Sequence, residues 1–294
     1  MKHLPNLLTL GNLFCGCIAI VYILTAQPYT SMSLADGTGL PTWRWVYGAE
    51  QMYLGSIFIA IAAIFDLFDG LAARALRIFS PIGKDLDSLA DLVSFGVAPS
   101  CILFKLLWDA SMQEKNAMDI DMIGMIPAFV LACFAALRLA KFNITSTQQK
   151  SYFIGMPSPA AGMFVASFPL ILWTNPYNLI ASFEHNGFAP TWVVNLCQFT
   201  ARTQHMLTNV LENKWTIYLI IGLLSWLMNS KVKFIKLMPT RWALKYTWPQ
   251  LIIVLASLVA LPFFQVIAFP IIFVLYVILS IIYKQPEPDN IVTA

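Results

Sequence analysis

Charge is scarce in this chain. Only 11% of its 294 residues are Asp, Glu, Lys or Arg, where a soluble domain usually carries about 25%. With 59% hydrophobic residues and a mean hydropathy of +0.70, a water-soluble fold would have to expose large apolar patches, so lipid is the expected solvent. Histidine is nearly missing: His3, His185 and His205 all lie outside the apolar runs, which disfavours haem or zinc within a bundle. Cysteine is sparse and odd in number (Cys15, Cys17, Cys101, Cys133, Cys197), which argues against a disulfide framework. Cys15 and Cys17 would point in different directions on a helix and make a poor metal pair. The net charge of +3 is small and no basic run is interleaved with aromatics, so nucleic acid is not an expected partner. No internal repeat is visible, and no stretch is left over for a soluble domain of any size.

What the chain has in quantity is apolar runs. A spanning helix needs about 20 predominantly apolar residues. Runs at 5–25, 51–73, 87–108, 123–142, 158–175, 215–229, 247–264 and 266–283 meet or approach that length, which predicts an all-α, polytopic transmembrane bundle of about eight helices. The first run reads as a retained helix, since only Lys2 precedes it and no small-residue cleavage site follows cleanly. With the N-terminus inside, the inner segments hold thirteen of the 18 Lys and Arg residues, and the outer side keeps five, Arg44, Lys105, Lys115, Arg202 and Lys214. This orientation obeys the positive-inside rule. It makes 27–50 and 176–214 outer loops and puts the segment 66–91 at the cytoplasmic face, the expected setting being a bacterial inner membrane.

That segment holds the chemistry. Asp66 and Asp69 are i,i+3, and Asp87 and Asp91 are i,i+4, so each pair shares a helix face. Pro81 and Gly83 lie in the break between them and read as a turn, so two antiparallel helices would present four carboxylates to each other. Ionisable groups at membrane depth oppose insertion by roughly 2.5–3.5 kcal/mol each, and four like charges add repulsion. A hard divalent cation with oxygen ligands, Mg²⁺ or Mn²⁺, relieves both and typically shares its shell with substrate phosphates. Gly70 and Gly83, one turn from Asp66 and Asp87, would let a bulky ligand approach the backbone, and Arg74 can pair with a phosphate. A plain alternative is a set of interfacial charges paired with Arg74, Arg77 and Lys84. It accounts for one such aspartate but not for four at this spacing.

The pattern D-x-x-D-G-x-x-A-R-x8-G-x-x-x-D-x-x-x-D (Asp66, Asp69, Gly70, Ala73, Arg74, Gly83, Asp87, Asp91) resembles the signature of the CDP-alcohol phosphotransferase family at every fixed position. The resemblance implies a six-helix membrane core, here followed by about two C-terminal helices. It also implies Asp66, Asp69 and Asp87 as metal ligands on the CDP pyrophosphate. Asp91 would be the general base on the acceptor alcohol, also touching metal, and Gly70, Arg74 and Gly83 would lie against the CDP-lipid.

Two further stretches look like the phosphatidylserine synthase branch. One is Leu4-Pro5-Asn6 through Thr9, Gly11, Asn12, Cys15 and Gly16, in which Asn6 and Thr9, i,i+3, can both face the nucleotide. The other runs from Arg138, Lys141 and Asn143 to Gly155, Pro157 and Ser158. Arg138, Lys141, Asn143 and Ser158 would then line a serine pocket, while a helix-anchoring role for the two cations and a packing role for the small residues are the plainer readings. The implied partners are CDP-diacylglycerol, L-serine, the bilayer and, as an oligomer, a second copy in a homodimer. The expected division is a membrane enzyme domain over 1–230, then a basic cytoplasmic loop and helix pair over 231–294. Sister enzymes using glycerol 3-phosphate or inositol, an Asp-rich intramembrane prenyltransferase and an ion-coupled carrier are the competing readings. The prenyltransferase needs two well-separated Asp motifs and the carrier a repeated half, and neither is found.

Overall fold

The computed structural model describes residues 4–26, 29–34, 41–46, 49–76, 81–112, 122–145, 152–173, 203, 206–235 and 244–283. Helix α1 (Leu4–Thr25) is followed by a hairpin of β1 (Tyr29–Leu34) and β2 (Pro41–Val46), then by α2 (Ala49–Leu76). Helix α3 (Pro81–Leu92) continues through a π turn (Val93–Val97) into α4 (Ala98–Met112). A 3₁₀ segment (Met122–Phe129) leads into α5 (Val130–Thr145), and β3 (Tyr152–Ile154) precedes α6 (Ser158–Trp173). Helix α7 (Lys214–Asn229), β4 (Lys233–Ile235), α8 (Leu244–Phe264) and α9 (Ala268–Ile282) follow among the described residues.

Within the described residues the eight expected apolar runs are helical almost throughout, those at 87–108 and 123–142 crossing the π turn and the 3₁₀ segment, and the protein is a polytopic all-α membrane bundle. Among the described residues, four helices are long and apolar enough to cross a bilayer: Leu4–Thr25, Met52–Leu76, Ile82–Met112 and Met122–Ile144. Shorter apolar helices lie at Ser158–Leu172, Thr247–Leu261 and Ala268–Ile282. The strands are additions that the apolar pattern did not announce. The turn residues 77–80 and most of the proposed outer loop 176–214 lie outside the described residues.

The α3–α4 rod is the bundle's axis: 67% of its most apolar window is buried, against 22% to 33% in the other three long helices. Two sequence features shape it. Pro81 opens α3, where its missing N–H is no loss. Pro99 cannot donate to the carbonyl four residues back, and the helix answers just ahead of it with the π turn, in which Ala98 N–H reaches Val93 O. Ser100 Oγ donates to Gly96 O at 2.8 Å, satisfying another carbonyl of the irregular turn. Neighbouring helices close on this turn through glycines. A Cβ on Gly16 would strike Ser94 Oγ, and one on Gly162 would come within 3.0 Å of Phe95. Small residues are what allow helix backbones to approach closely in lipid.

The C-terminal elements are stitched to the rest. Strand β4 pairs antiparallel with β3. Gly155 N–H donates to Val232 O at 2.9 Å and Met156 N–H to Leu227 O at 3.0 Å. Gly155 has φ 77°, a left-handed conformation that favours glycine, and it makes the sharp turn from β3 toward α6.

Candidate active site

Helix α2 carries Asp66 and Asp69 at its C-terminal end, and α3 carries Asp87 and Asp91. One carboxylate oxygen from each of Asp66, Asp69 and Asp87 lies within 4.8 Å of the others. Asp91 is outside that grouping but close enough for its charge to act on Asp66 and Asp87. Asp69 and Asp91 are buried, and Asp66 and Asp87 are half-buried. Asp87 Oδ1 is buried with no hydrogen-bond partner among the described residues. An all-oxygen, anionic donor set with an orphaned buried oxygen fits a hard divalent cation.

Helix α1 grips this cluster from one side. Thr9 Oγ1 lies 2.8 Å from Asp69 Oδ2 and 3.0 Å from Pro5 O, so its one proton is shared between them. Asn12 Nδ2 donates to Asp91 Oδ1 at 3.2 Å. Both residues are buried in an otherwise apolar helix. Sequence reasoning took Thr9 for a nucleotide contact and used Asn12 only as a mark of the branch. The missed signal is their i,i+3 spacing, which puts two polar groups on one face of a lipid-spanning helix. Asn6 is half-buried in the first turn of the same helix.

Gly70 sits where a ligand has room. A Cβ on Gly70 would meet nothing nearer than Arg74 Nη2 at 3.9 Å, so packing does not require glycine there. Arg74 is exposed and folds back, its Nε donating to Gly70 O at 2.9 Å. Gly83 is half-buried in the first turn of α3.

A second, cationic region flanks Asp91. Arg138 on α5 is buried, donates from Nη1 to Ser158 Oγ at 2.6 Å, and lies close enough for its charge to act on Asp91. Its Nε is buried without a hydrogen-bond partner among the described residues. Arg138 and Lys141 line a cleft with Phe142, Ile154, Met228, Asn229 and Ser230. Lys141 Nζ donates to Asn229 Oδ1 at 2.9 Å, and Asn229 Nδ2 donates to Phe134 O at 3.0 Å. Asn143 instead ties α5 to α3: its Nδ2 donates to Ser88 Oγ at 2.8 Å while Lys84 Nζ donates to its carbonyl at 2.6 Å. Of the four proposed pocket residues, Arg138 and Lys141 face the cleft, Ser158 anchors Arg138, and Asn143 reaches the helix that bears the aspartates.

Chemically, one side of this arrangement can bind a cation bridged to phosphates and the other an anionic group. The carboxylate of Asp91 stands between them, within reach of the charges on both sides. A family model described as CDP-alcohol phosphatidyltransferase matches residues 2–282. Among similar proteins, one from Bacillus subtilis is 29% identical over 215 residues, 73% of this chain and 99% of that protein. One from Helicobacter pylori is 31% identical over 177 residues, 60% of each chain, and one from Saccharomyces cerevisiae is 34% identical over 169 residues, 53% of this chain and 50% of its own. All three are named CDP-diacylglycerol–serine O-phosphatidyltransferase.

Proposed function

This chain belongs to the CDP-alcohol phosphatidyltransferase family, and from that premise we propose that it transfers the phosphatidyl group of CDP-diacylglycerol to the hydroxyl of L-serine, giving phosphatidylserine and CMP. The observation that carries the reading is the carboxylate cluster, with Asp66, Asp69 and Asp87 converging within 4.8 Å and Asp91 beside them. Serine as the acceptor draws on the names of the relatives and on Arg138, a fixed cation near Asp91.

Asp66, Asp69 and Asp87 would hold Mg²⁺ or Mn²⁺. Such an ion supplies charge neutralisation on a pyrophosphate. Thr9, Asn6, Gly70, Arg74 and Gly83 line the nucleotide side, where the open face of Gly70 leaves room for the CDP group. Serine's hydroxyl is far too weak an acid to ionise unaided, so Asp91 accepts its proton as the oxygen–phosphorus bond forms. The bond from phosphorus to the CMP oxygen breaks, and CMP leaves with that electron pair. Arg138 and Lys141 would meet the serine carboxylate, an Arg fork being well suited to that group. In this reading the enzyme domain spans 1–230 and the segment 231–294 is an appendage carrying β4, α8 and α9, and a homodimer is the expected assembly.

Purified protein given CDP-diacylglycerol should release CMP only when serine is added. Release that is independent of serine, or that answers instead to glycerol 3-phosphate or inositol, would overturn the choice of acceptor. We place the site on the cytoplasmic side of the membrane, supported by the distribution of Lys and Arg. An impermeant maleimide applied to intact cells should then label Lys214→Cys, at the start of α7. It should spare Asp85→Cys on α3 and Lys231→Cys just past α7 until the cells are opened. Equal labelling of all three from outside would refute the orientation.

A further inference from the structure

We infer that Asn12 aims Asp91: its side-chain amide fixes the orientation of the carboxylate that takes the acceptor's proton, so Asn12 is a positioning residue for the transfer. This rests on the reading of Asp91 as the base.

Asn12 is fully buried in the middle of a helix built for lipid. Its Nδ2 donates to Asp91 Oδ1 at 3.2 Å. That bond uses one lone pair and leaves the other oxygen of Asp91 to receive a proton. The amide's own Oδ1 is buried without a hydrogen-bond partner among the described residues. An unpaired buried carbonyl opposes folding, so the packing of α1 does not call for an asparagine here, and what its amide serves is Asp91.

The backbone is keyed to the same place. Ser94 Oγ donates to Asn12 O at 3.1 Å, and Ser94 lies in the π turn directly after the helix that carries Asp91. One turn further along α1, Gly16 lies so close to Ser94 that a Cβ would collide with its hydroxyl. Helix α1 therefore meets the π turn at two successive levels, and this register sets Asn12 opposite Asp91. A proton acceptor must sit within hydrogen-bond reach of the reacting hydroxyl, and a small misplacement of a reacting group is enough to lower the rate strongly.

The test compares Asn12→Leu, Asn12→Asp and Asp91→Asn in the full-length protein in detergent with Mg²⁺. It reads kcat for CMP release with serine, KM for both substrates, metal-dependent binding of CDP-diacylglycerol, and the thermal unfolding midpoint. For Asn12→Leu, kcat should fall about 10- to 100-fold, the scale of one hydrogen bond to a charged group. CDP-diacylglycerol binding should be unchanged and the variant should stay folded, with a cooperative unfolding transition above the assay temperature. Asn12→Asp is isosteric but sets a like charge against Asp91, and its kcat should fall further. If Asn12→Leu does not fold, Asn12→Ser carries the same expectation. Wild-type kcat in the folded variant overturns the inference, and so does a loss of CDP-diacylglycerol binding that parallels the loss of rate. Should Asp91→Asn be inactive while Asn12→Leu is normal, this inference alone fails. Should Asp91→Asn turn over normally, the base assignment and this inference fall together.

Discussion

The carboxylate end of the site comes from two consecutive helices, α2 and α3, whereas the cationic end is gathered from α5, β3, α6 and the far end of α7. At the first, spacing within each helix already brings the acids together, and α1 pins two of them through Thr9 and Asn12. At the second, the contributors come from separate stretches: Arg138 to Phe142 on α5, Ile154 and Ser158 on β3 and α6, and Met228 to Ser230 at the end of α7. Their arrangement depends on a three-residue strand pair and on Asn229 holding Lys141. The carboxylate end is thus a local construction that tertiary contacts trim, and the cationic end exists only in the folded bundle. Substitutions at the first should act on chemistry and nucleotide-lipid binding, and those at the second on the acceptor and on stability.

The largest expected effect is at the proposed base. Asp91→Asn should lower transfer by about 10²–10⁴-fold, the usual contribution of a positioned base, with CDP-diacylglycerol binding retained. Normal turnover would remove Asp91 from the mechanism. Next come the proposed ligands. Asp66→Asn and Asp69→Asn should weaken CDP-diacylglycerol binding and shift its Mg²⁺ or Mn²⁺ titration to higher concentration, and a chelator should abolish wild-type binding. Full binding in excess EDTA would mean the aspartates serve something other than a metal-bridged pyrophosphate. At the cationic end, Arg138→Met should raise the serine KM by the equivalent of about 1.5–3 kcal/mol, as for a lost hydrogen bond to a charged group. The CDP-diacylglycerol KM should barely move. A serine KM unchanged in both Arg138→Met and Lys141→Met would eliminate the pair as the selectivity element.

The same contrast explains what could be read from the chain. Asp66, Asp69, Asp87 and Asp91 were legible because i,i+3 and i,i+4 spacing is itself geometry, and the helices were legible because lipid demands long apolar runs. Asn12 escaped because one polar residue in an apolar helix has no periodic signal until it is paired with Thr9. The π turn left the apolar pattern intact, since a single inserted residue within a buried rod changes register rather than composition. Strands β3 and β4 have three residues each, too short for alternation to show. Their pairing joins distant parts of the chain, and the bond from Asn143 to Ser88 on α3 likewise spans elements that no local spacing relates.

The smallest expected effect asks whether the C-terminal helix pair belongs functionally to the acceptor end. Ile235, on β4, is held from α9 at both of its backbone groups: its N–H donates to Ser280 Oγ at 3.3 Å and its carbonyl accepts from Tyr276 Oη at 3.2 Å. The preceding Phe234 is fully buried, with its ring centroid 5.8 Å from that of Tyr276. Strand β4 in turn pairs with β3, whose Ile154 lines the cleft with Arg138 and Lys141. Tyr276→Phe keeps the ring packing and removes only the hydroxyl, which should lower stability by about 0.5–1.5 kcal/mol, the net worth of one hydrogen bond. If α9 merely anchors the chain in lipid, the loss should appear in the unfolding midpoint alone. If it braces the acceptor cleft through β4 and β3, the serine KM should also rise while the CDP-diacylglycerol KM stays put. A rise in both KM values, or in the CDP-diacylglycerol value alone, would contradict the brace, because nothing in the contact chain from Tyr276 to Ile154 passes through the carboxylates.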